Sequence, residues 1–67
     1  MTDDFEKLKK LLEHWKFHNK EHAENYKLWA NKMELLGKKE VARILYEVYN
    51  QSLKQNELFE KALNLKE

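Results

Sequence analysis

The chain has 67 residues, 13 basic and 12 acidic, for a formal charge of +1, which leaves room for one small domain and no basic face large enough to track a phosphate backbone. One glycine, no proline and no cysteine point to an all-helical chain and exclude disulfides, zinc–thiolate sites and thiol catalysis. Charges interrupt every apolar run, so neither a membrane span nor a signal peptide is expected, and a cytoplasmic location is the default. Lys7, Lys9 and Lys10 form the densest basic cluster, but Glu6 and Glu13 flank it. A solvated helix surface explains that cluster better than a nucleic-acid contact does.

Asp3, with Glu6 three residues on, is the expected N-cap of a first helix over about 3–36, and Thr2 is the fallback. From there Phe5, Leu8, Leu12, Trp15, Asn19, His22, Tyr26, Trp29, Met33 and Leu36 alternate by three and four, as one stripe of a long helix packed in coiled-coil fashion does. Gly37 suits the left-handed position that ends helices, and residues 37–39 form the turn. A second helix over about 40–65 carries Val41, Ile44, Leu45, Val48, Gln51, Ser52, Gln55, Leu58, Phe59, Ala62 and Leu65. The short connection makes the helices antiparallel neighbours, so the expected fold is an all-α two-helix hairpin forming a single domain over 1–67. Each arm is roughly thirty residues, or about 45 Å, long.

Pairing residues about the turn sets Asn19 and His22 opposite Gln51, Ser52 and Gln55. Both stripes turn polar at one height, and buried polar groups must find partners or cost about 1–3 kcal/mol each. One hairpin offers little interior. Phe17, Leu28 and Leu35 on one arm, with Tyr46, Tyr49 and Leu53 on the other, add rows of apolar residues outside the stripes. They predict a homodimer that completes a four-helix bundle.

All three histidines, His14, His18 and His22, recur at four-residue intervals, which places neighbours one above another on a helix. Two such imidazoles converge on one metal ion, whereas the outer pair is about 12 Å apart along the axis and cannot share it. In one reading His22 is a core histidine bonded to Ser52 or Gln55. In another His18 and His22 chelate a divalent transition metal, of nickel or zinc type, with His14, Glu21 or a second copy completing the shell. His18-Asn19-Lys20-Glu21-His22 also matches the H-x-x-E-H string of inverted zinc proteases. One hairpin supplies neither a substrate cleft nor a third carboxylate ligand, so a non-enzymatic role is expected. Trp15, Tyr26 and Trp29 fit the core stripe better than a stacking platform. Asn19 is placed to set register, and Asn56 to reach across toward His18.

The strings Leu12-Glu13-His14-Trp15, His18-Asn19, Glu21-His22-Ala23-Glu24, Trp29-Ala30 and Asn56-Glu57-Leu58-Phe59-Glu60-Lys61-Ala62-Leu63 resemble a small family of uncharacterised helical-hairpin domains. That family is loosely associated with nickel-binding accessory proteins of the carbon monoxide dehydrogenase maturation type. The resemblance implies metal handling, with a protein partner in that process, and carries the role to His14, His18 and His22. It differs in Tyr46, Tyr49, Asn50 and Gln51, where the family favours Glu and Ala. The sequence thus favours a small metal-binding bundle protein. The alternative is a structural or protein-interaction dimerisation module whose histidines form a buried polar layer.

Overall fold

The computed structural model describes residues 3–65. Two helices, α1 (Asp3–Leu35) and α2 (Lys39–Asn64), pack side by side. The Cα extents are 54 × 14 × 11 Å, the dimensions of one helix pair with no further layer. Asp3 is the first helical residue and lies with Asp4 and Glu6 in the opening turn, where carboxylates meet the positive end of the helix dipole. Asp3, expected as the cap, is thus itself helical, and Thr2, the fallback, lies outside the described residues.

Gly37 ends α1 as its sequence position suggested. Its φ is +79°, a left-handed conformation that costs residues with a Cβ about 1–2 kcal/mol. The Lys38 amide donates to the Met33 carbonyl at 2.9 Å and the Gly37 amide to the Glu34 carbonyl at 3.1 Å. These bonds form a Schellman motif, which satisfies carbonyls that the helix end leaves open. Leu36 is drawn into that turn. α2 begins immediately, with the Ala42 amide donating to the Lys38 carbonyl at 3.0 Å.

The seam between the helices is not the stripe of largest apolar residues. On α1 the buried and half-buried positions are Phe5, Lys9, Leu12, Lys16, Asn19, Ala23, Tyr26, Ala30 and Met33. Phe5, Leu12, Asn19, Tyr26 and Met33 belong to the expected stripe. Leu8, Trp15, His22, Trp29 and Leu36, the rest of that stripe, are exposed; the first four give way to Lys9, Lys16, Ala23 and Ala30, each one residue further on. Since each residue advances 100° around a helix, the inward face is rotated by about 50° from the expected one. A smaller shift occurs on α2, where Ala42, Leu45, Tyr46, Val48, Tyr49, Ser52, Asn56, Phe59, Ala62 and Leu63 are buried or half-buried; Leu45, Val48, Ser52, Phe59 and Ala62 are of the expected stripe, while its Val41, Ile44 and Leu58 are exposed.

Small residues explain the rotation. Ala30 and Ala42 are fully buried at 0 % exposure and Ala23 nearly so at 2 %. Helix axes approach most closely where the contact side chains are short, and a tryptophan in that layer would hold the backbones apart. Among the described residues no large side chain is fully buried. A core this thin, in a chain without disulfides, supplies on the order of 3–5 kcal/mol at best.

Candidate functional site

The rotation gives the hairpin two unlike faces. One groove between the helices is lined by Lys9, Glu13, Lys16, Phe17, Lys20 and Glu60. It is mostly charged and is bridged by Lys16 Nζ to Glu60 Oε2 at 2.5 Å. Tyr46, expected on an outer apolar row, donates its hydroxyl to Asn31 Oδ1 instead. Tyr49 lies under the Lys27 ammonium at 5.5 Å. Both tyrosines are half-buried and so serve the hairpin itself.

The other groove is lined by Asn19, Tyr26, Val48, Gln51, Ser52, Lys54, Gln55 and Leu58. Of the displaced apolar residues, Leu58 lines it. To the same side of the hairpin lie Leu8, Leu11, Trp15 and Trp29 on α1, Leu36 at the turn, and Val41, Ile44 and Leu65 toward the ends of α2, all exposed. Trp15 leans toward the seam, 6.5 Å from the Phe59 ring between centroids, and still leaves 43 % of its surface open; Trp29 leaves 51 %. Exposed large apolar residues scattered singly are ordinary, whereas a continuous band of them marks a contact surface.

The histidine row crosses onto this face. His14 and His18 stack at 5.1 Å between centroids, His18 and His22 meet edge to face at 5.4 Å, and His22 stacks on Tyr26 at 6.3 Å. Four residues advance a helix by 400°, so each member lies about 40° further round than the last. The row therefore winds from the outer side of α1 at His14, past His22, to the second groove at Tyr26. All three imidazoles are exposed. Among the described residues no three His, Cys, Asp or Glu side chains are grouped to hold a metal ion. Two adjacent imidazoles of this row offer a two-nitrogen edge, and a full shell needs further donors.

Beneath the row lies a polar layer at the height of the coincident breaks, built by Asn19 and Ser52 as expected, with Asn56 joining them and His22, Gln51 and Gln55 left exposed. Asn19 Nδ2 donates to the Ser52 carbonyl oxygen at 2.8 Å and to Asn56 Oδ1 at 2.8 Å. Asn56 thus meets Asn19 and not His18. Gln51 and Gln55 are exposed on the apolar face. Among the described residues no buried side-chain nitrogen or oxygen lacks a partner, so the layer is satisfied within one chain. The sequence signal for the open face was present in the seven-residue spacing of Leu8, Trp15, Trp29 and Leu36, but it was absorbed into the seam.

Geometry and surface together define an amphipathic antiparallel helical hairpin with one apolar, histidine-crossed face. Residues 8–65 match the family described as a domain of unknown function, DUF8180, and the chain belongs to that family. No curated protein and no solved structure matches it. Among the described residues no helix is long and apolar enough to cross a membrane.

Proposed function

We propose that this chain is a non-enzymatic dimerisation module whose apolar face packs on a second copy to complete a four-helix bundle. The observation that carries the reading is the set of exposed apolar residues running along α1 from Leu8 to Leu36 just past its end, and along α2 from Val41 to Leu65 just past its end, beside a seam in which, among the described residues, no large side chain is fully buried. Covering a 43–51 % open tryptophan removes on the order of 100 Å² of mostly apolar surface from water, at ~25 cal/mol per Å². A charge placed in the band tests the proposal. Ile44→Glu combined with Leu58→Glu is expected to give a monomer by light scattering, while Leu53→Glu, on the opposite face, keeps twice the chain mass. Equal masses for both variants would contradict it.

The spacing of the imidazoles favours a second reading, in which the row also binds a divalent metal of nickel or zinc type. His18 and His22, 5.4 Å apart between centroids, supply two nitrogens, and a dimer supplies two more. The loose association of the resembled hairpin family with nickel-binding accessory proteins is in keeping with the same chemistry. Titration of chelator-treated protein with nickel or zinc should stabilise it by about 2.7 kcal/mol at a hundredfold excess over the dissociation constant. His18→Ala or His22→Ala should abolish the gain. No thermal shift with either metal would refute this reading and leave the first intact.

A further inference from the structure

Along one flank of α1 the positions seven residues apart read Leu8, Trp15, His22, Trp29 and Leu36. The order is the same from either end. Such a stripe is complementary to an antiparallel copy of itself, which is the condition an isologous two-fold contact imposes. With the axis crossing α1 at His22, Leu8 faces the partner's Leu36, Trp15 faces the partner's Trp29, and His22 faces the partner's His22.

The second helix is an independent check. The cross-hairpin contacts Trp15 to Phe59, Lys16 to Glu60 and Lys27 to Tyr49 put positions 52 to 54 at the height of His22, with 53 at the middle of that range. A two-fold at that height sets Gln51 against the partner's Gln55, Val48 against the partner's Leu58, and Val41 against the partner's Leu65. Apolar meets apolar and amide meets amide on α2, at a register chosen from α1 alone. Charge agrees at the ends. The acidic first turn of α1, with Asp3, Asp4 and Glu6, comes level with the partner's Lys38 and the partner's Lys39. A parallel two-fold would instead gather both turns, and their lysines, at one end. The face is 54 Å long and 14 Å wide between Cα extremes, about 750 Å² before side chains widen it, against the ~800 Å² per partner of a standard stable interface.

We infer that a second copy of this chain docks antiparallel on the apolar face, with the two-fold axis at His22, so that the paired His22 imidazoles form the centre of the bundle. The inference rests on the dimerisation reading and adds its register. It also makes the middle of the bundle a shared site. Each His22 is flanked by its own His18, so a divalent transition metal bridging the axis takes ligands from both chains, and neither chain completes the shell alone.

The chain has no cysteine, so introduced thiols report the register directly. His22→Cys, treated with a short bismaleimide at a concentration where light scattering shows the dimer, is expected to link most chains to themselves. An equimolar mixture of Gln51→Cys and Gln55→Cys should give the mixed linked dimer well beyond the 1:2:1 ratio of random pairing. A dimeric mass without the 22-to-22 link, or a His22→Cys thiol that links only to Gln51→Cys or Gln55→Cys of a second chain, overturns the antiparallel register and leaves dimerisation standing. A monomeric mass for both the native chain and the thiol variants overturns both.

Discussion

Leucine in place of Ala30 distinguishes the observed seam from the one that the large apolar residues suggest. Ala30 is 0 % exposed where α1 meets α2, and three added carbon atoms have no space there unless the helices part. Overpacking of this kind costs about 1–3 kcal/mol, a large share of the ~3–5 kcal/mol available to a core of this size. Alanine and leucine are both strong helix formers, so the loss reports packing and not propensity. Urea unfolding followed by circular dichroism, with a slope near 1 kcal/mol per molar for a small chain, should show a midpoint lowered by roughly 1–3 M. Chain concentration must be held fixed, because association adds to apparent stability by mass action. Leu35→Ala, at a position 87 % exposed, should move the midpoint little, within about 0.5 kcal/mol. If Ala30→Leu leaves the midpoint unchanged or raises it, Trp29 and Leu36 line the seam and the rotated packing is wrong.

Other substitutions probe the turn, the polar layer and the open face. Gly37→Ala forces a side chain into a left-handed conformation and should lower stability by about 1 kcal/mol, measured by thermal melting, although nothing lies within 4 Å of the added Cβ. Asn19→Ala removes both hydrogen bonds of the polar layer and should cost about 1–2 kcal/mol in urea, while the helicity of the folded state is unchanged. Trp29→Ala withdraws a half-exposed ring from each side of the proposed interface. With partial burial of both rings valued at ~3 kcal/mol in total, dimer dissociation measured by fluorescence dilution should become about a hundredfold easier.

Much of the fold was legible because it rests on strong local signals. The sole glycine stands where α1 must end, and its φ of +79° is the conformation that glycine tolerates best. Asn19 interrupts one apolar stripe at the height where the other also turns polar, and the Asn19, Ser52 and Asn56 bonds occupy that height. The helix facing was not legible to the same degree. An alternation of three and four is satisfied equally by Leu12 with Trp15 and by Leu12 with Lys16, and hydrophobicity favours the tryptophan. Close approach of two backbones favours the alanines instead, at Ala23, Ala30 and Ala42. For the candidate site, the imidazole ladder followed from spacing alone. Where it points did not, because a 50° rotation of α1 decides whether His22 enters the seam or looks out over the apolar face.

Sedimentation equilibrium of the native chain, from about one to a hundred micromolar, bears most directly on whether a second copy covers the apolar face. Twice the chain mass across the upper part of that range is the expected result, with a melting temperature that rises with concentration. A single-chain mass throughout, with full helicity and a melting temperature independent of concentration, would contradict the account.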